Sequence, residues 1–286
     1  MRFENQVLFV TGGASGIGFA TAERVVAEGG RAAIVDLDLE RAEAAAARLP
    51  GCIGLAANVA DDDAVAAAVA TAVERLGGVD LALAAAGHAE FGPSAEWDAA
   101  RFSKMLEVHV GGTFSVCKHV LPVMKSRGLG SIVTIASTAA FMANPSNAPY
   151  GAAKAGIAGL TRQLSLEALP EVRINCVAPG RTITGMTTPL MLRRAENMEE
   201  GERIFAKGVP MGRMASAAEL ASVICFFLSS DASFVTGQTL LADGGETIVC
   251  PLGSATVDGR TAWAPTSDDP PGDQRSLAPE TSGSSS

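Results

Sequence analysis

The chain has 286 residues, of which 48% are hydrophobic and 19% charged, and a net charge of −9. This supplies apolar matter for one large core, while the acidic balance argues against nucleic acid or an anionic membrane surface as partner, since both are gripped through a cationic footprint. The cysteines, Cys52, Cys117, Cys176, Cys225 and Cys250, are odd in number and widely spaced, so they read as free thiols in a reducing, cytoplasmic compartment rather than as a disulfide or zinc framework.

In chain order, short apolar runs alternate with helices. The N-terminus has no apolar signal core and passes directly into a strand run at 7–10. A glycine-rich turn opens a helix over 17–28, stopped by Gly29 and Gly30. A strand at 32–35 ends on Asp36 and precedes a helix at 39–49. A strand at 52–57 leads to a helix over 61–76, capped by Asp61 and ended by Gly77 and Gly78. Then come a strand at 79–85, one long helix at 101–124, a strand at 131–136, a helix at 150–169 and a strand at 174–178. Residues 183–210 break the rhythm; a long insertion at a strand's carboxyl end is expected to form a lid or substrate loop. A helix at 217–228 and a strand at 240–242 complete the series.

The strand runs are nearly continuous, as in parallel strands buried on both faces. Strand–helix–strand units joined by right-handed crossovers imply a single-domain α/β Rossmann fold, a doubly wound parallel sheet of about seven strands flanked by helices. This domain is expected to occupy 1–250, and the Pro- and Ser-rich segment 251–286 to be a poorly ordered tail. No stretch is long and apolar enough to span a bilayer.

Two clusters carry chemistry. The first is the segment 11–18, Thr-Gly-Gly-Ala-Ser-Gly-Ile-Gly. Alone it marks only a tight turn, but here it follows a strand and opens a helix, whose free N–H groups and positive dipole end suit a pyrophosphate. Asp36, at the end of the second strand, is placed to accept hydrogen bonds from both adenosine ribose hydroxyls and to repel a 2′-phosphate. The loop holds no Arg or Lys and Leu37 follows Asp36, so NAD is favoured over NADP.

The second cluster is Tyr150-Gly-Ala-Ala-Lys154, with Ser137 closing the strand before it. Residues four apart share a helix face. The Lys154 ammonium is expected to stabilise the Tyr150 phenolate and bring its pKa below the usual value near 10. Tyr150 is the only tyrosine in the chain.

The segment 11–18, Asp36, Ser137, Tyr150 with Lys154, and Pro179-Gly180 together resemble the short-chain dehydrogenase/reductase family, in its single-domain branch of about 250 residues. The resemblance covers about residues 5–246 and ends with Gly-Gln-Thr-Leu-Leu-Ala-Asp-Gly-Gly at 237–245. It implies an NAD-dependent alcohol dehydrogenase or ketone reductase in which Tyr150 is the general acid or base, Lys154 holds the nicotinamide ribose and tunes Tyr150, and Ser137 orients the substrate oxygen. It implies cofactor contacts from Gly12, Ser15, Gly16, Ile17 and Gly18, from Asp36, and from Asn58, Val59, Ala85 and Gly87. Pro179 and Gly180 are expected under the nicotinamide, with Thr182 and Thr184 near its carboxamide and the pyrophosphate. It also implies a homodimer or homotetramer, and no metal.

Four departures from the family pattern stand out. Ala84-Ala85-Ala86-Gly87 replaces Asn-Asn-Ala-Gly, which removes strand-bridging amides. Asn58 stands where an Asp commonly meets adenine, and Thr182 replaces an aliphatic residue. His109 stands where the family has a fourth catalytic residue, an Asn at a helix distortion whose carbonyl holds a water bound to the Lys. Gly111 and Gly112 weaken the helix enough to permit the same distortion. Two readings of His109 stay open: an imidazole titrating near neutral pH that links Lys154 to solvent, or a structural replacement packed between helices. The substrate is expected to be a small, mostly apolar secondary alcohol or its ketone, between 139–147, 88–93 and the 183–210 loop, with Phe141, Met142, Met186, Leu190 and Met191 as apolar contacts. The rival readings are a 3-oxoacyl-carrier reductase, which would need NADPH, and a non-catalytic NAD-sensing protein.

Overall fold

The apolar runs become the strands of one parallel sheet. In the computed structural model they are β1 (Val7–Thr11), β2 (Arg31–Asp36), β3 (Ile53–Ala56), β4 (Leu81–Ala84), β5 (Gly130–Ile135), β6 (Val172–Pro179) and, after the short β7 (Thr182–Ile183) and β8 (Ala215–Ser216), β9 (Thr239–Ala242). The sheet order is β3-β2-β1-β4-β5-β6-β9, all parallel. Residues 1–248 are described, and beyond them only an antiparallel pair, Thr256–Val257 with Arg260–Thr261. Contacts within the chain define two units, Met1–Ile248 and Val249–Ser286. The rest of the expected tail, with Cys250, lies outside the described residues.

Helices cover both faces. Against one lie α3 (Asp62–Leu76), α5 (Gly112–Ser126) and α6 (Ala148–Ala168), which pack Val65, Val116, Val120 and Leu164 onto Phe9, Ala82 and Ile132. Against the other lie α1 (Gly16–Ala27), α2 (Leu39–Ala46) and α9 (Ala217–Leu228), which pack Phe19, Val25, Ile224 and Phe227 onto Leu8, Ile34 and Val133. Every residue of β1 and β4 is buried, which is why these strands read as unbroken apolar runs. The strand order reverses between β1 and β4, and doubly wound sheets open their binding crevice at the carboxyl ends there. Asp61 caps α3 by accepting the Asp63 and Ala64 N–H groups, both at 3.1 Å, and Gly77 ends it in the left-handed region at φ 87°.

The expected single helix over 101–124 is instead three pieces. It runs as α4 (Ala99–Leu106), a π-helical stretch at Glu107–Gly111, and α5. A Cβ on Gly112 would stand 2.7 Å from Val59 Cγ2, so α5 comes this close to the β3–α3 turn only with glycine there. The 183–210 insertion contains two helices, α7 (Thr188–Leu192) and α8 (Met198–Ala206). Among the described residues no helix is long and apolar enough to cross a membrane.

Candidate active site

The nucleotide end is built by close backbone packing. Gly12, at φ 64°, has no room for a side chain: its Cβ would lie 2.9 Å from the Ala85 carbonyl oxygen. A Cβ on Gly18 would lie 2.3 Å from the Gly12 oxygen. The loop is therefore pressed between the end of β4 and the first turn of α1. That turn has no acidic residue, and the Ser15 side chain makes no capping bond, so the helix's leading N–H groups and positive end face the crevice. Thr184 reaches the same place, its Cβ 3.6 Å from the Cβ position of Gly16. Asp36 closes β2 with its carboxylate over the loop, accepting N–H from Ala14 at 3.3 Å and from Leu37 at 2.9 Å. A cradle that any Cβ would fill, ending on an anion-seeking helix terminus and flanked by a carboxylate, fits a dinucleotide.

Two departures acquire a structural account. The Thr11 hydroxyl reaches across from β1 to the Ala86 N–H at 3.5 Å, where the missing amides would have bridged the strands. Asn58 is exposed and its side-chain oxygen accepts the Ala60 N–H at 3.1 Å, which fixes the turn that buries Val59.

The reactive groups meet at the carboxyl ends of β4, β5 and β6. Ser137 follows β5 and opens a single 3-10 turn, its hydroxyl accepting the Ala139 N–H at 3.2 Å. Tyr150 lies in the first turn of α6, where its phenol is a hydrogen-bond partner of Ser137. Lys154, one turn on, is buried; its ammonium donates to the Ile135 carbonyl at 2.9 Å and sits 5.5 Å from the centre of the Tyr150 ring. Burial lowers the Lys154 pKa to about 8.

The Tyr150 phenol does not follow the expectation of a lowered pKa. Burial raises it to about 12, with the Ser137 hydrogen bond pulling in the opposite direction. The physical reason is that the phenolate, in this partly buried place, would lose hydration.

His109 lies in the same cluster. Its ring stands edge-on to Tyr150, centroids 5.5 Å apart at 89°, and 5.5 Å from the His88 ring. Its Nε2 is 2.8 Å from the His88 carbonyl oxygen. A carbonyl only accepts, so this short contact, rather than the 3.4 Å approach of the His88 N–H to the same atom, makes Nε2 the protonated nitrogen, and the buried, unpartnered Nδ1 carries the lone pair. Gly87 makes the seat, since a Cβ there would meet His109 Cε1 at 2.4 Å. Burial, reinforced by the Lys154 charge, lowers the His109 pKa to about 3. This direction runs against an imidazole that titrates near neutral pH. The helix distortion is present, but the His109 carbonyl accepts both the Thr113 hydroxyl, at 2.7 Å, and the Gly112 N–H. The Gly112 N–H is shared with the Glu107 carbonyl.

At the carboxyl end of β6, Pro179 ends the strand and Gly180 packs against the turn after β9, where its Cβ would be 2.7 Å from Asp243 Cα. The buried Thr182 donates to the Gly180 carbonyl at 3.0 Å. Beside Tyr150, the Gly92 N–H donates to the Ser146 carbonyl at 2.9 Å, joining the 88–93 and 139–147 loops, and the Phe91 ring lies 6.2 Å from that of Tyr150. Phe141 and Met186 are exposed. Met191 is not a pocket contact: it is fully buried between α7 and α8, against Gly201. A cavity of about 380 Å³ beside the start of α6 is lined by Trp97, Phe102 and Pro149. Sequence reasoning did not pick out Thr113, Trp97, Arg181 or Glu246, none of which lies in a motif. Among the described residues no group of His, Cys, Asp and Glu is placed to hold a metal.

A family model described as Enoyl-(Acyl carrier protein) reductase matches residues 12–247. The 2-(S)-hydroxypropyl-CoM dehydrogenase 3 of Xanthobacter autotrophicus is 37% identical over 254 residues, 87% of this chain and 99% of that protein. The chain belongs to the short-chain dehydrogenase/reductase family. Another relative, the 2-dehydro-3-deoxy-L-rhamnonate dehydrogenase (NAD(+)) of a Sphingomonas species, is 32% identical over 86% of this chain and 97% of its own. The crystal structure of levodione reductase superimposes with a TM-score of 0.81 at 33% identity, over 87% of this chain and all of that one. The chain is thus an oxidoreductase of this family, whose members work with nicotinamide cofactors.

Proposed function

We propose that the enzyme interconverts a small, mostly apolar secondary alcohol and its ketone, with NAD as hydride acceptor and donor and Tyr150 as acid/base. The observation that carries this is the convergence of Ser137, Tyr150 and Lys154 at one point of the crevice, beside a dinucleotide cradle flanked by Asp36. The bound nicotinamide would supply the hydride chemistry. Asp36, with exposed Leu37 next to it, supports NAD, because a 2′-phosphate would meet a carboxylate and no cation.

The chain's own groups divide the remaining work. Ser137 and Tyr150 both hydrogen-bond the substrate oxygen, bonds that strengthen as charge develops there. In ketone reduction the Tyr150 phenol donates its proton to that oxygen. In alcohol oxidation its phenolate removes the proton, which at a partly buried phenol with a raised pKa favours alkaline pH. The Lys154 ammonium, 5.5 Å from the centre of the Tyr150 ring, offers its positive charge below its lowered pKa of about 8, and its bond to Ile135 fixes where that charge lies. Neutral His109 positions the Tyr150 ring and the Gly87–His88 backbone. Phe91, Phe141 and Met186 give the substrate side its apolar character. The same reading includes a homodimer or homotetramer in a cytoplasmic setting, in keeping with the free thiols of Cys52, Cys117, Cys176 and Cys225.

The test is turnover of a panel of secondary alcohols and ketones with NAD and with NADP. NAD-linked turnover that disappears in Tyr150→Phe supports the proposal; turnover retained in Tyr150→Phe, or linked only to NADP, refutes it.

A further inference from the structure

The insertion that carries α7 and α8 is tied at both ends to one short segment, and the tie at its far end runs through Arg181, a side chain 35% exposed that is ion-paired with the Glu246 carboxylate. Arg181, directly after Gly180, donates from Nε to Glu246 Oε1 at 2.8 Å and from Nη1 to the carbonyl of Phe205, near the end of α8, at 2.6 Å. Glu246, in the turn after β9, has a side chain only 7% exposed, and its second oxygen has no partner. A Cβ on Gly180 would stand 3.1 Å from that oxygen, and one on Gly208 would stand 2.5 Å from Arg181 Nη2. The Arg181 carbonyl also accepts the Ala215 N–H at 2.9 Å, beside the β7–β8 pair.

The near end is tied to the same segment. The Thr187 hydroxyl donates to the Thr182 carbonyl at 2.7 Å and accepts the Thr184 N–H at 3.0 Å. Between the two ties the helices form one piece: Met191 packs on Gly201, and the Arg194 guanidinium lies 5.7 Å from the Phe205 ring. The place of this hairpin therefore follows whatever holds Phe205. An apolar contact there would cost less desolvation, but the guanidinium fork fixes two partners in direction at once.

We propose that Arg181 and Glu246 are a positioning pair that locks the α7–α8 hairpin to the 179–184 turn, so that the substrate loop and the nicotinamide-side turn hold a single relative position. The role rests on the reading of that turn as cofactor-contacting, and the experiment separates the two. In the full chain without cofactor, trypsin cleavage after the exposed Arg193, Arg194 and Arg203 is followed by mass spectrometry. Arg181→Leu and Glu246→Gln are expected to raise those cleavage rates about tenfold, equivalent to about 1.4 kcal/mol of local stability, with little change in Tm. The KM for the alcohol rises by a comparable factor, with a smaller change in kcat. Arg181→Lys, which keeps the charge and loses the fork, falls between. The exchange Arg181→Glu with Glu246→Arg recovers part of the protection. Cleavage at the wild-type rate in both single variants overturns the proposal. If Arg181→Leu fails to fold, Glu246→Gln, of unchanged shape, decides alone. Absence of NAD binding in the wild type overturns the cofactor reading, while cleavage rates measured without cofactor still decide the lock.

Discussion

The burial of His109 sets a pH dependence of folding that its replacement should remove. The unfolded chain takes up a proton on this imidazole near its ordinary value of 6.5, whereas the folded chain refuses it until about 3. Between these values the unfolded state binds the extra proton, so stability falls as pH drops through that window. Each pH unit is worth about 1.36 kcal/mol, so the step from pH 6.5 to pH 5 costs about 2 kcal/mol from this residue alone. The groups around the ring explain the direction: the Lys154 charge opposes a second cation, and Tyr150 and the His88 carbonyl offer no anion. The assay is chemical denaturation of wild type and His109→Asn at pH 5 and pH 7.5. The wild type should lose about 2 kcal/mol more than the variant on acidification, the other titrating groups cancelling in the comparison. Equal losses in the two proteins would refute the reasoning. The same physics predicts that His109 adds no limb between pH 5 and pH 8 to the rate profile.

Four further outcomes are expected. The wild type should prefer NAD to NADP by about 100-fold or more, as like-charge contact costs several kcal/mol, and Asp36→Ala with Leu37→Arg should narrow or invert the ratio. Comparable Kd values for the two cofactors in the wild type would count against Asp36. In the ligand-free enzyme the sole tyrosine should ionise above the usual value of 10.0, near 12, and Ser137→Ala, which removes a bond that favours the phenolate, should shift it further up by absorbance titration. Gly87→Ala forces a Cβ to within 2.4 Å of His109 Cε1, and should destabilise the fold by about 1–3 kcal/mol, less so in a His109→Ala background. Light scattering should report a dimer or tetramer, through the exposed Phe102, Phe114 and Leu166 of α4, α5 and α6.

The sequence by itself determined the sheet, because strands buried on both faces must be apolar at nearly every position, and the runs of β1 and β4 show this directly. It also determined the glycine cradle, since only glycine allows the approaches at Gly12 and Gly18, and it aligned Tyr150 with Lys154 through helix periodicity alone. What it left to the tertiary structure is everything set by burial and long-range partners. The directions of the Tyr150 and His109 pKa shifts depend on how much water each loses, which no local spacing encodes. The long helix breaks into α4, a π stretch and α5, and the glycine that opens α5, Gly112, packs on Val59 from a distant turn of the chain. Arg181 and Glu246 lie 65 positions apart and meet only because β6 and β9 are neighbours in the sheet. Local pattern fixes which faces and turns a chain can form; the water that each side chain loses is decided only when those faces come together.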